Sequence, residues 1–484
     1  MTTVRTNTIG CGRGGNGCAA SLNNVMQPLQ ERNGRLSMGS IPIRQLAEQF
    51  GVLPKQAISI SSAGVLSEGI MGEGAAYIYD GNRIVDNYRK IRDAMSDAQG
   101  RFNTRVYFAL KSNSNPAIMQ LLASEGCGAD CANYNEIRIA RMAGVPEGRM
   151  LYSGNNNPIG EMLGALQIGA AINFDDINLF ESLSGRCNGE LKQNVVSFRF
   201  NPGTGLGENA KITTGGEGSK FGMGEAEIMQ AYRAARERGA TRFALHMMTG
   251  SNTREVEPFV EQVKEQVRLA GRLCNELGIT LEFIDIGGGF GIPYLPGDSE
   301  LDIFELGRQL TQAYAQECGR HNVRNSAGGI PDLMMEPGRY IVGDAGVLAA
   351  KVTSVKNSFG RSIIGIDASM STLMRVAMYD SYHHILIDGR EEQNMRPADV
   401  VGQACESSDF FAHARLLPQG IRTGDLAVIC TAGAYGFSMS SNYCNMAKPA
   451  EVLVYDGEAH LIRRRQGFEQ MVEGVQMLPL MQEA

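Results

Sequence analysis

Lys111 sits where an apolar, strand-like run, Val106-Tyr107-Phe108-Ala109-Leu110, gives way to the polar stretch Ser112-Asn113-Ser114-Asn115-Pro116. An ammonium group at the end of a buried strand is costly unless it finds a partner or sheds its proton. That setting is expected to lower the lysine's pKa, and a neutral amine condenses readily with an aldehyde. Alone, the residue reads as a lysine whose charged head snorkels to water. Two further patterns turn the reading toward chemistry. Ile284-Asp285-Ile286-Gly287-Gly288-Gly289-Phe290-Gly291 is a glycine cluster, and glycines let backbone N–H groups come close to an anion. Glu336-Pro337-Gly338-Arg339 follows another apolar run, and the Glu336 carboxylate can hold a protonated pyridine nitrogen or pair with Arg339.

These groups lie far apart in the chain, so the elements around them must bring them together. Short apolar runs alternate with longer amphipathic ones from about residue 75 to 345, the βα pattern of a parallel sheet. The strand candidates are 106–110, 126–131, 150–153, 171–174, 195–200, 243–248, 283–286 and 333–336. Eight strand–helix units in about 270 residues is the size of a (β/α)8 TIM-type barrel, an α/β fold with its chemistry at the C-terminal ends of the strands. Lys111, Asp130, Gly154, Asn173, Asn201, His246, Gly287 and Glu336 occupy those ends. Such barrels often hold phosphate after strands seven and eight, where the glycine cluster falls. Runs at 346–355, 363–367, 384–388, 425–430 and 451–455 are strand-like with little helix between, which predicts a β-rich, sandwich- or barrel-like domain over 346–484. The barrel is then 76–345, with 37–75 a segment packing on the β-rich domain and 1–36 a flexible tail rich in Gly, Asn and Arg.

Bulk composition narrows the function. A chain of 484 residues, 43% hydrophobic and 20% charged, reads as a globular protein of two domains. Its net charge of -7 argues against a nucleic-acid surface, which needs clustered Lys and Arg. No apolar run reaches the length of a membrane span. Ten cysteines are scattered without disulfide-scaffold density, and Cys127 and Cys131 lack the second pair or histidines of a metal site. No metal is expected, and a reducing, cytoplasmic compartment is, with a weak organelle-targeting segment the alternative reading of the Gly/Asn/Arg-rich tail.

With these residues assembled, the chain resembles the fold-type III (alanine racemase-like) pyridoxal-phosphate decarboxylases from about residue 75 to the C-terminus. Tyr107-Phe108-Ala109-Leu110-Lys111-Ser112-Asn113 is similar to the segment that carries the family's cofactor-binding lysine. Gly126-Cys127-Gly128-Ala129-Asp130 with Glu136 resembles its second-strand motif, and Ser219-Lys220-Phe221-Gly222-Met223 its segment after strand five. The resemblance implies pyridoxal 5'-phosphate held by Lys111, Asp130, His246, Ser251, Gly287, Gly288, Gly289, Glu336 and Tyr435, the last in Ala432-Gly433-Ala434-Tyr435. Cys405-Glu406-Ser407-Ser408-Asp409 is similar to the segment whose cysteine and acid reach a neighbouring subunit's site, which implies a homodimer and makes Lys111 and Cys405 the catalytic pair. Met374-Arg375-Val376-Ala377-Met378-Tyr379 resembles a stretch with a substrate-binding arginine and tyrosine.

Charge points to the substrate within this resemblance. Diaminopimelate carries an ammonium and a carboxylate at its far end; Arg339 and Arg375 can fork to that carboxylate, Tyr379 can donate to it, and Glu406 can accept from the ammonium. The expected reaction is decarboxylation of meso-diaminopimelate to L-lysine, the last step of lysine biosynthesis. The alternatives are decarboxylation of ornithine, arginine or carboxynorspermidine, or a non-catalytic cofactor-binding regulator. Three positions depart from the family pattern. Met248 stands where a cofactor-stacking histidine is usual, leaving either its thioether or His246 in a shifted register for that task; Asn157 and Thr431 replace a common lysine and aspartate.

Overall fold

A computed structural model describes residue 25 and residues 28–32, 34–53, 74–187, 189–207, 214–390 and 394–478. Most of the tail expected over 1–36, and residues 54–73, lie outside the described residues.

Eight parallel strands close into a barrel. In chain order they are Thr104–Ala109, Gly128–Cys131, Met150–Tyr152, Ala171–Phe174, Val195–Phe200, Arg242–Met247, Leu281–Asp285 and Asp332–Met335. The ring closes where Leu333 of strand eight pairs with Thr104 of strand one. Helices begin where the sequence offers a cap. Asn115 accepts from Ala117 N–H ahead of Pro116–Ser124, and Asn133 accepts from Glu136 N–H ahead of Tyr134–Met142. Asp302 does the same for Ile303–Arg320, while Glu257–Leu277 ends at Gly278 in the left-handed conformation. Among the described helices none is long and apolar enough to cross a membrane.

The barrel has two cores. Its interior is plugged by Tyr107, Leu151, Val195, Ala244, Phe283 and Met334, all contributed by strands. A larger layer between strands and helices includes Phe108, Phe174, Phe198, Tyr232 and Tyr314. The plug fills one end, so the polar tips at the other have room for a ligand.

The second domain is a nine-stranded sheet. Ala76–Asp80 lies inside it, antiparallel to Gly346–Ser358 and parallel to Ala450–Tyr455. The chain therefore lays one strand into this sheet before Gly81–Ala94 leads toward the barrel. Met395–Val401 and Phe410–Pro418, which periodicity does not single out, extend one edge. Their burial is irregular and their pairing shifts register twice, which blurs the two-residue alternation.

Polar ties join the domains beside Lys111. Glu451, fully buried, accepts from Tyr79 Oη at 2.8 Å and from Asn115 Nδ2 at 2.8 Å, and pairs with Arg463. Asn113 Nδ2 donates to the Gly433 carbonyl at 3.1 Å, and Tyr435 N–H to the Ser112 carbonyl at 2.7 Å. At Gly433 a Cβ would fall 1.8 Å from the Val342 carbonyl oxygen, so only glycine permits this approach.

Candidate active site

Strand register delivers the charged tips to one mouth. Ala109 lies opposite Asp130 on strands one and two, and His246 opposite Asp285 on strands six and seven. Asp285 in turn faces Met334 on strand eight, two residues before Glu336. Lys111 Nζ donates to Asp130 Oδ2 at 2.9 Å, with the lysine side chain 43% exposed at the mouth and Asp130 buried. The expected lowering of the Lys111 pKa is not found. Burial does press it down, but the negative charges of Asp130 and Glu336 outweigh burial and raise it above the ordinary amine range. The lysine has partners, which the sequence could not place around it. Asp130 is itself pushed up to about 7 by burial and by Glu336, against the pull of Lys111.

Behind this pair, the ligating atoms of His246, Asp285 and Glu336 lie within 4.8 Å of one another. His246 Nε2 is 3.5 Å from Glu336 Oε1, and both residues are buried. Asp285 Oδ2 and Glu336 Oε1 are buried acceptors with no hydrogen-bond donor among the described residues. A proton shared between these carboxyls satisfies both. Burial and the neighbouring Glu336 charge raise Asp285, which keeps the proton. Burial would raise Glu336 too, but His246, Lys111 and the Asp285 hydrogen bond bring it down to about 2, so it is the ionised member. Burial lowers the pKa of His246, against the pull of Glu336. The Glu336–Arg339 salt bridge that the sequence allowed is not formed, because Arg339 turns to other partners.

The glycine cluster lines the same mouth. Gly287 and Gly289 have φ of 69° and 95°. A Cβ on Gly288 would lie 2.3 Å from the Glu336 carbonyl oxygen, so the turn packs directly on the tip of strand eight. Gly288 N–H donates to Met248 Sδ at 3.1 Å. Met248 is thus the half-buried group at the tip of strand six, whereas His246 is buried one pleat below, against Glu336. Arg339 donates from Nη2 to Ser251 Oγ at 3.0 Å, and its guanidinium lies 4.9 Å from the Tyr435 ring centroid. Lys111, Asp130, His246, Ser251, Gly287, Gly288, Gly289, Glu336, Arg339 and Tyr435 are therefore neighbours along one rim.

Tyr294, which the sequence reading did not single out, organises the outer part of the site. Arg339 Nη1 donates to its hydroxyl at 2.7 Å, and the Arg375 guanidinium lies 4.8 Å from its ring centroid. The two guanidinium groups outweigh burial and lower the Tyr294 pKa. His383 meets the same ring edge-on at 5.5 Å; burial and then Arg375 depress its pKa to about 3. Arg375 is buried at the start of Arg375–Tyr379, with Tyr379 one turn on and half-buried. Arg199 was also missed. It sits on strand five, donates from Nη2 to the Met248 carbonyl at 3.2 Å and covers Phe221 at 4.4 Å. A charged residue inside an apolar strand was the available signal for Arg199 and Asp285; Tyr294 lies in an irregular segment that offers none.

Cys405 and Glu406 are not brought to this mouth. Cys405 is exposed on a loop of the β-rich domain. Glu406 Oε2 accepts from Tyr443 Oη at 3.0 Å, and Oε1 from Ser408 N–H at 3.2 Å. Asn157, at the place of a usual lysine, braces its loop by donating to the Ala132 carbonyl at 2.7 Å and Tyr152 Oη at 2.6 Å. Thr431 is buried in the left-handed region at φ 55°.

Residues 83–343 match the family model of the pyridoxal-dependent decarboxylase pyridoxal-binding domain. The chain belongs to the pyridoxal-dependent decarboxylase family. It is 41% identical over 399 residues to diaminopimelate decarboxylase of Methanothermobacter thermautotrophicus, covering 82% of this chain and 90% of that one. Protein TabA of Pseudomonas amygdali pv. tabaci is 37% identical, covering 84% of this chain and 91% of that protein. A crystal structure of diaminopimelate decarboxylase from M. jannaschii with L-lysine superposes with a TM-score of 0.80 at 28% identity, over 93% of this chain and 98% of that one. The family's cofactor is pyridoxal 5'-phosphate, and the residues present fit it. Lys111 offers an amine open to the mouth, Glu336 a buried acid held ionised, and the Gly287–Gly289 turn a surface without side chains.

Proposed function

We propose that the protein decarboxylates meso-diaminopimelate to L-lysine and carbon dioxide, the last step of lysine biosynthesis, as a homodimer with shared active sites. The observation that carries the substrate choice is the convergence of Arg339 and Arg375 on Tyr294, beside the rim that holds Lys111. Two guanidinium groups so placed select an anion; a substrate ending in a simple amine, such as ornithine, leaves them to face a cation. Relatives that carry the diaminopimelate decarboxylase name support the same reading.

When bound, pyridoxal phosphate supplies the electron sink for loss of the substrate carboxylate. Lys111 would hold the cofactor, with Asp130 positioning the lysine amine. Glu336, lowered by its surroundings, Lys111 and the Asp285 hydrogen bond among them, would keep the cofactor's ring nitrogen protonated. Gly287, Gly288, Gly289, Ser251 and Tyr435 would hold the cofactor's phosphate, and Met248 would stand in for the usual histidine. Arg339, Arg375 and Tyr379 bind the distal carboxylate. Cys405 and Glu406, exposed in their own chain, serve the neighbouring subunit: Glu406 accepts from the distal ammonium and Cys405 returns a proton to the α-carbon. Cys127, Cys131, Cys274, Cys318, Cys405 and Cys444 carry free thiols, which fits a cytoplasmic location.

The test is carbon dioxide release by the purified protein from meso-diaminopimelate, ornithine, arginine and carboxynorspermidine. Turnover of diaminopimelate should exceed the others by orders of magnitude. A preference for any of the rest overturns the substrate, and release from none of them overturns the activity. Borohydride reduction followed by peptide mass mapping should find the cofactor mass on Lys111.

A further inference from the structure

A second charged cluster lies outside the barrel, where the N-terminal hairpin formed by Leu29–Arg32 and Arg35–Met38 and the helix Ile43–Gln49 meet turns of the β-rich domain. It lines a cavity of about 490 Å³. Arg35, Arg44, Arg390 and Arg422 face Asp388 and Asp425 there, with two glycines and a threonine completing the wall. Four guanidinium groups against two carboxylates leave a surplus of two positive charges, on a chain whose net charge is -7. Both carboxylates are already engaged. Asp388 accepts Leu36 N–H at 3.0 Å and Arg44 Nε at 3.1 Å, while Asp425 accepts Arg390 Nε at 2.8 Å and Arg422 N–H at 3.0 Å. Arg35 and Arg422 reach these acids only at 3.9 Å and 3.8 Å, beyond hydrogen-bond range, and their side chains are 65% and 82% exposed. Among the described residues, two guanidinium forks therefore have no hydrogen-bonded acid and can take an anion from solution.

We propose that this cavity binds a phosphate dianion, either inorganic phosphate or the phosphate end of a small metabolite. Among the described residues the wall has no apolar or aromatic side chain to hold a ring or an acyl chain, so the ligand's charged end makes the contact. A phosphate carries about two charges near neutral pH and accepts bidentate pairs from arginine, which matches the local surplus. Binding joins Arg35 of the hairpin strand Arg35–Met38 to Arg422 of the β-rich domain. The hairpin is held to that domain through the Asp388 and Gly389 contacts, Gly389 N–H reaching the Gly34 carbonyl at 2.7 Å. The anion adds a third tie across the same joint.

The test uses full-length protein saturated with pyridoxal phosphate, so that the cofactor's own phosphate site is filled. Inorganic phosphate, pyrophosphate and glycerol 3-phosphate are titrated calorimetrically at ionic strength held constant with chloride. Saturable binding is expected, weakened about tenfold or more in Arg35→Gln/Arg422→Gln, with decarboxylation unchanged. Amide exchange over 29–49 should slow with ligand in the wild type and not in the double variant. Tighter binding of the ester points to a metabolite and the reverse to free phosphate, and either supports the site. Absence of saturable binding, or binding that survives the double variant, overturns it.

Discussion

Tyr294→Phe removes one oxygen and little else. The ring stays, and with it the Arg375 contact at 4.8 Å; what goes is the acceptor for Arg339 Nη1 at 2.7 Å. Hydrogen bonds to charged donors contribute about 1.5–3 kcal/mol, and each 1.36 kcal/mol or so is a decade in rate or affinity. The variant should therefore lose roughly 10- to 150-fold in kcat/KM for diaminopimelate. Arg339 would hold a carboxylate that takes no part in the bond changes, so ground state and transition state lose the same interaction. The loss belongs in KM, with kcat within about twofold of wild type. Steady-state carbon dioxide release at varied diaminopimelate measures both constants. L-Lysine, which lacks the distal carboxylate, serves as the comparison substrate, and discrimination against it should shrink by the same factor. A fall in kcat at constant KM, or unchanged kinetics in a folded, cofactor-loaded variant, refutes the reasoning.

Four further outcomes follow from the geometry. Mixing inactive Lys111→Ala and Cys405→Ala proteins should restore about a quarter of wild-type activity, since half the dimers then hold one intact site; no recovery counts against a shared site. Gly288→Ala places a Cβ 2.3 Å from the Glu336 carbonyl oxygen, and should weaken cofactor retention on gel filtration by roughly 5- to 150-fold. Arg375→Ala should abolish the preference for diaminopimelate over lysine while leaving the visible spectrum of the bound cofactor unchanged. His383 is buried neutral with a pKa depressed from 6.5 to about 3, so between these values the unfolded chain binds a proton that the folded one refuses. Stability should fall with pH across that window, by about 2 kcal/mol at pH 5, and the decline should flatten in His383→Gln under denaturant titration.

The barrel was legible because its strands are short apolar runs ended by polar or glycine residues, and period and length alone locate them. The tips gave Lys111, Asp130, His246, Gly287 and Glu336 in order, since a barrel fixes which strand end carries chemistry. Strands with irregular burial, such as Met395–Val401 and Phe410–Pro418, carried no such pattern. What tertiary structure alone decided is the state of those groups. Lys111 looked like an amine pressed toward neutrality, yet inter-strand register puts two carboxylates around it and reverses the shift. Met248 and His246 are two residues apart in the chain; pleat and burial decide that one meets the glycine turn and the other Glu336. Tyr294 had no signature, because its importance comes from two arginines on distant segments closing on one ring. Local pattern follows from the periodicity of a single segment, while charge state and specificity arise from fields summed over residues that only folding makes neighbours.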